Sequence, residues 1–446
     1  MITDVDGFEM EIHQRRSKDK TKYIKRAIWL YFYLIIFEGA LRKWLLPSLA
    51  SPLLIIRDPV ALYMILACYH QRIIFTRWYV VAMWFIMLIS FFYTILIGHG
   101  NLTVALYGLR IFALHFPLIF IIGKVFSKED VVKVGNFLLW ISLPMTLIMI
   151  MQFYSPQSSF VNRGVGGDTE GAGFSGALGF FRPPGTFSFI NGLTLFYGLV
   201  ASFIFYFWND INKKIINKPL LILSSVCLIT AIPLSISRTL FFQCILSLSF
   251  FLFISLTNPK QVTKSIAYIS FATIVCLALM NTEIFSTATK ALITRFESAR
   301  ESEIASGTST FDRVLGGAFK LNTNKEVPLF GFGLGIGTNV GAKLITGKVA
   351  FGFAEMEFGR MIAELGYFLG GIAIIIRFRL IIELCIKSYK ELNAGNCLPW
   401  MLLSFSFYVV LQGQWAQPTG LGFGILSGGL TLAALKSKSK VSKSIL

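Results

Sequence analysis

Arginines recur where apolar segments meet polar ones: Arg57, Arg110, Arg163, Arg182, Arg238, Arg295, Arg300, Arg313 and Arg360. A guanidinium keeps its charge at any ordinary pH and presents a planar fork of N–H donors that matches a carboxylate or a phosphate. Near a bilayer it costs on the order of 3 kcal/mol unless a carboxylate, a carbonyl or an anionic ligand meets it. One phosphate-bearing ligand would satisfy several at once, whereas snorkelling to lipid headgroups would satisfy any one singly. Arg182, in "FFRPPGTFSF", and Arg238, in "PLSISRTLFF", stand where two prolines or a tight turn would hold the side chain at a surface. They are the leading phosphate-binding candidates. Arg110, Arg313 and Arg360 are further substrate-binding candidates, although Arg110 has Glu38 and Asp58 as alternative partners inside the protein.

Carboxylates with a possible role in proton transfer fall in "FAEMEFGRMIAELG". Glu357 and Glu364 are seven apart and share a helix face, with Arg360 three from one and four from the other. That spacing suits an ion-paired helix start. It also suits a carboxylate, Glu357 foremost, that orients or deprotonates an acceptor hydroxyl, with Glu364 beside it as a substrate contact. "GFGLGIG" lacks the strand-to-helix setting of a nucleotide loop, so close backbone packing against a membrane helix, or a loop bordering the substrate groove, is the better reading. "GDTEG", with Asp168 and Glu170, has too few ligands for a metal site. The histidines are too scattered for a zinc centre or a histidine-based hydrolase. No metal and no cofactor is expected.

The elements that must carry these residues are membrane helices. The 446 residues are 55% hydrophobic and 14% charged, with a mean hydropathy of +0.67, a balance that excludes an ordinary soluble domain. Apolar runs near the roughly 20 residues of a helical crossing fall at 27–46, 52–69, 78–97, 103–122, 133–153, 188–208, 219–236, 239–256, 265–281, 360–378, 398–416 and 418–436. An all-α polytopic protein of about twelve crossings is therefore expected. No cleaved leader is evident, and the six cysteines read as small hydrophobes. The net charge of +18 is concentrated in "HQRIIFTR", "GKVFSKEDVVK", "NDINKKIINK", "TNPKQVTK", "RFRLIIELCIKSYK" and "KSKSKVSK". Basic loops on one side place both termini in the cytoplasm, so the charge is a topology signal and no nucleic-acid partner is expected.

The expected organisation is a cytoplasmic tail (1–26), helices one to nine (27–281) with an outer loop at 154–187, and a large helical extracytoplasmic loop (282–359). Helices ten to twelve (360–436) and a basic cytoplasmic tail (437–446) complete it. The lipid bilayer is the first partner.

In order and placement, "FEGALRKWLLP" followed by "IIRDP", then "FRPPGTFSFINGL", "SISRTL" and "FGFGLGIG…EMEFGRMIAELGYFLGG", the chain resembles the O-antigen ligase and O-antigen polymerase superfamily. The resemblance implies a multi-pass protein of the bacterial inner membrane that transfers a glycan carried on undecaprenyl diphosphate, without metal or sugar nucleotide. Arg182 and Arg238 would hold the donor diphosphate, and the large loop with its following helix would hold a glycan or lipid A core acceptor. A chain-length regulator or a flippase is the implied protein partner. Ligases of the superfamily typically carry a histidine near the stretch matched here by "AEMEFGRMIAELG". This chain has none after His115, with Glu357 in that neighbourhood, which favours a repeat-unit polymerase, or a related exopolysaccharide assembly enzyme, over a ligase. A transporter or flippase of a lipid-linked anion is the alternative from another class, and the lack of any internal repeat counts against it.

Overall fold

In an apolar medium a backbone must satisfy its own hydrogen bonds, and long apolar runs do so by coiling. Helices accordingly make up nearly all the regular structure of this computed structural model. It describes residues 3–171, 173–209, 216–257, 270, 273–274, 277–279, 282–306, 326–347 and 356–436. In chain order the helices begin with α1 (Thr3–Ala40), α2 (Arg57–His70), α3 (Trp78–Leu96), α4 (Leu102–Arg110), α5 (Leu118–Val125) and α6 (Lys128–Tyr154). A short hairpin, β1 (Phe174–Ala177) and β2 (Phe180–Arg182), separates these from α7 (Ile190–Asn209), α8 (Lys218–Leu234) and α9 (Arg238–Thr257). The remainder are α10 (Glu283–Ser306), α11 (Asn339–Thr346), α12 (Glu357–Asn393), α13 (Leu398–Gln412) and α14 (Pro418–Ala434).

Among the described residues, five segments are long and apolar enough to cross a membrane: Pro52–His70, Trp78–Leu96, Leu102–Val125, Lys128–Tyr154 and Ile190–Asn209. Lys218–Leu234, Arg238–Ile254 and Leu398–Gln412 are shorter apolar helices. This is the make-up of a helical membrane protein. Leu102–Val125 joins α4 and α5 through a π-helical turn at Ile111–His115. The expected crossing at 265–281 lies largely outside the described residues.

The centre of the bundle is α14, buried from Gly420 to Ala434 and packed on α5, α7 and α13. Small residues permit that density. A Cβ on Gly429 would lie 2.6 Å from the Ile122 Cβ, the close approach typical of membrane helix interfaces.

Charge separates the two ends of the bundle. At one end Lys25 pairs with Asp130 at 2.5 Å, Lys128 reaches Asn396, and Lys436 donates to the carbonyls of Lys124 and Phe126. Ser127 and Asp130 form a capping box there that starts α6. The opposite end gathers the exit of α1, residues 155–189, the start of α9 and the glycine run at 329–337.

Two features of that loop end depart from expectation. The first is the hairpin, which an all-α reading does not contain: β1 and β2 pair antiparallel, with Phe174 opposite Arg182 and Ser175 opposite Phe181. Its two-residue turn, Leu178 and Gly179, has φ of 53° and 79°, the left-handed pair that matches the twist of a tight hairpin. The second is that 360–378 is no single crossing. Gly366, at φ 76° and ψ 175°, breaks α12. The Phe358 and Phe378 rings lie 5.6 Å apart and Arg377 reaches Met361, so residues 357–365 fold back along the rest of the helix. The glycine run docks onto this reversal: Phe332 N–H donates to the Ala363 carbonyl, and a Cβ on Gly366 would lie 2.0 Å from the Leu329 oxygen. Close backbone packing is thus what the "GFGLGIG" glycines serve.

Candidate functional site

Arg182 ends β2, and the residues after it are pinned. Pro183 and Pro184 are buried, and Gly185 turns with φ 62°. Lys43 Nζ donates to the Gly185 carbonyl at 2.7 Å, and the Gln152 side chain bonds both the N–H and the carbonyl of the same residue. Thr186 donates to the Ile36 carbonyl, and Arg42 to the Ser188 hydroxyl. The Arg182 backbone is therefore fixed from α1 and α6, while its half-exposed guanidinium, among the described residues, makes hydrogen bonds only to the Ser175 carbonyl, at 3.1 and 3.2 Å.

Arg238 opens α9, just behind Ser237, whose hydroxyl accepts from Leu240 N–H at 3.4 Å as a helix cap. The turn before it contains Ile236 at φ 45°. A β-branched residue there is strained, and such strain is tolerated where the surroundings fix the chain, often at functional sites. Arg295 projects from α10, which packs on both β1 and α9. Three guanidiniums from three elements thus share one neighbourhood. Burial, and then the charges of Arg295 and Arg238, hold the Arg182 guanidinium below its usual pKa. Among the described residues no carboxylate pairs with Arg182 or Arg295, and Arg238 has a single carboxylate partner, Glu303, at 3.3 Å. An unbalanced cluster of guanidiniums is an anion site in waiting.

Next to it is an open pocket of about 260 Å³ lined by Arg238 and Phe242 of α9 and by Phe296, Glu297, Arg300 and Glu303 of α10.

The second expected group has a different character. Glu357, Arg360 and Glu364 come together as the spacing suggests, but buried. Arg360 grips Glu357 through Nε and Nη2, at 3.1 and 2.8 Å, and Glu364 through Nη1 at 2.6 Å. Arg377, also buried, donates to Glu357 at 2.9 Å and stacks its guanidinium 4.0 Å from the Trp415 ring. Trp415 N–H supplies a fourth bond to Glu357, and Gly337 N–H bonds Glu364. A carboxylate offers about four lone-pair positions, and all of Glu357's are taken. Glu357 braces the reversal of α12 against the α13–α14 loop, and Glu364 braces it against the glycine run. Arg377 is the member of this group that sequence reasoning missed.

Arg110 takes one of the two partnerships open to it: Nη1 lies 2.6 Å from Asp58, which also meets His115 at 2.9 Å. Tyr31 bonds the other ring nitrogen of His115. Beside them Glu38 lies 3.2 Å from Arg57 and 3.6 Å from Arg42. The Arg57 Nε–H points off the carboxylate line, so this is an ion pair without a hydrogen bond. Arg110 is thus paired inside the protein with Asp58, and the charges that act on Arg182 are those of Arg295 and Arg238. Arg313 lies outside the described residues. Among those described, no group of three or more histidines, cysteines and carboxylates could hold a metal ion.

The chain matches no protein-family model, no curated protein and no solved structure. The chemistry of the site itself defines its capacity: to bind a multiply charged anion on Arg182, Arg238 and Arg295, with a mixed aromatic and polar pocket at its edge.

Proposed function

We propose that the chain is a membrane glycosyltransferase that moves undecaprenyl diphosphate-linked saccharide units on the outer face of the bacterial inner membrane, as a repeat-unit polymerase. The observation that carries this reading is the convergence of Arg182, Arg238 and Arg295 without a matching set of carboxylates among the described residues. The likeness in motif order to the O-antigen ligase and polymerase superfamily supplies the substrate class. The gathering of Lys25, Lys128 and Lys436 at the end opposite the cluster favours both termini cytoplasmic, as an even number of crossings such as the expected twelve requires, and puts the arginines outside.

In the reaction, an acceptor hydroxyl oxygen attacks the anomeric carbon while the bond from that carbon to the diphosphate breaks. The bonding pair leaves with undecaprenyl diphosphate, and the hydroxyl proton is released. Charge grows on the departing oxygens, and arginines already aimed there stabilise the transition state without reorganising. Arg182 and Arg238 are the diphosphate contacts, with Arg295 alongside. Glu357, Arg360 and Glu364 act as the brace that sets the loop end rather than as proton carriers.

The test is reconstitution of the full chain with an undecaprenyl diphosphate-linked repeat unit, with and without lipid A core, and separation of products by size. A ladder without lipid A core supports the polymerase. Product only with lipid A core makes it a ligase. No product in either tube, with the linked unit left on the inner leaflet of cells lacking the protein, points to transport and sinks the reading.

A further inference from the structure

The pocket beside the arginine cluster has a composition of its own. Arg238 and Phe242 are four apart on α9, and Phe296, Arg300 and Glu303 recur at four and three residues on α10, so each helix turns one face to the same space. Two aromatic rings form its walls, Phe242 and Phe296, with centroids 6.0 Å apart and planes at 78°. Its rim carries Arg238, Arg300, Glu297 and Glu303, two charges of each sign. Among the described residues the neighbouring Arg182 and Arg295 have no such balance. An anion suits that neighbour. A charge-balanced rim of donors and acceptors over aromatic walls suits a neutral ligand with an apolar face and many hydroxyls, the description of a pyranose ring. A lipid tail would bring no polar atom to any of the four charged groups, which argues against it. The volume, about 260 Å³, is below the usual range of roughly 300–1,000 Å³ for ligand pockets and suits a single ring.

We infer that this pocket is a saccharide subsite and that it takes the sugar directly attached to the diphosphate. Arg238 is what fixes the order: it lines the pocket and also belongs to the anion cluster, so a ligand spanning both places its phosphate–sugar junction there. Glu303 holds Arg238 in the unliganded protein. When a phosphate oxygen takes that guanidinium, the Glu303 carboxylate keeps its place at the rim, where sugar hydroxyls can donate to it. The inference rests on the donor reading above, and names the part of the donor that the reading leaves unplaced.

The experiment compares binding of farnesyl diphosphate with that of farnesyl diphosphate carrying glucose, galactose or N-acetylglucosamine, to the full chain in lipid nanodiscs by titration calorimetry. At least one glycosylated probe should bind about tenfold tighter than the bare diphosphate. Phe296→Ala and, without loss of bulk, Glu303→Gln should each reduce that preference to about twofold or less. Glu303→Gln should also bind bare farnesyl diphosphate more tightly, because Arg238 is released. Equal binding of all four probes, or a preference that survives both variants, overturns the subsite and leaves the anion site standing. Binding of none of them overturns the donor reading, and the subsite with it.

Discussion

Two groups of arginines at the same end of the molecule meet their electrostatic cost in opposite ways. Arg360 and Arg377 are buried, and every strong donor they present to Glu357, Glu364, Val410 or Trp415 has a short, aligned partner. Arg182, Arg238 and Arg295 sit at an open surface, repel one another, and among the described residues have one carboxylate between them in Glu303. The first arrangement is complete without a ligand, so its value is in holding three chain segments together. The second is completed only by something brought from outside. The same residue type, in the same part of the sequence's polar material, thus separates into architecture and recognition by a count of partners.

The largest effect should come from breaking the complete group. Glu357→Gln or Arg377→Ala leaves a buried charge uncompensated, a loss of about 3–5 kcal/mol. Thermal unfolding of the detergent-purified chain, followed by size exclusion, should show a strongly lowered midpoint or no monodisperse protein. If Glu357→Gln unfolds like the parent yet makes no product, Glu357 is chemical after all and the division between the two groups fails.

Next in size is the open group, where the readouts should separate the other way. Arg182→Ala and Arg238→Ala should lower the rate of product formation by about 10²–10³, the cost of removing one preorganised donor from a developing anion. Stability should change by no more than about 0.5 kcal/mol, as for surface substitutions. Arg295→Ala should show a smaller loss. Arg182→Lys keeps the charge and loses the fork, so its rate should fall between those of parent and alanine. Full activity in both Arg182 variants would remove the residue from the site.

The contrast between the groups was only partly legible in the residues themselves. Arg360 with Glu357 and Glu364 could be read from helical spacing, and Asp58 was one of two partners open to Arg110. Arg377 could not be read, because twenty positions along an unbroken helix would carry it about 30 Å from Glu357. Only the reversal at Gly366 brings them together, and a glycine inside "ELGYFLGG" does not distinguish a reversal from an ordinary helical glycine. The hairpin was hidden for a related reason: "GFSGALGFFR" has neither the alternation of a long strand nor the Asn-Gly or Asp-Gly turn that marks a hairpin most clearly. Arg295 stood among the border arginines, but its place beside Arg182 depends on how α10 lies on β1, a contact between segments far apart in sequence. Pairing within one helix is local and therefore legible. Convergence from three elements is not.

A third effect, smaller again, tests how the two groups are joined. Gly335, with φ 83°, lies against α4, and a Cβ there would stand 2.1 Å from the Val104 carbonyl oxygen. Gly335→Ala should destabilise by about 1–3 kcal/mol through strain and overpacking. Because the run that contains it carries the Gly337 bond to Glu364, unfolding should lose cooperativity around the brace before activity at Arg182 changes. A variant as stable as the parent would mean that the glycine run bears on the brace less than its contacts suggest.

The smallest effect belongs to the hairpin that carries Arg182. Leu178 occupies the first turn position with φ 53°, where a branched L-residue costs roughly 1–2 kcal/mol and asparagine or glycine costs less. Its side chain is exposed, so little apolar burial offsets the strain. Leu178→Asn should raise stability by about 0.5–1 kcal/mol, seen as slower proteolysis within residues 170–182 and a modest rise in unfolding midpoint. With the strand stiffer and Pro183 to Gly185 already pinned, Arg182 has fewer positions open to it, so affinity for a prenyl diphosphate should hold or improve. A stabilised hairpin that binds the diphosphate less well would show that Arg182 must swing to reach its ligand, and would place the open group's adaptability, beside its unmatched charge, among the properties that set it apart from the buried one.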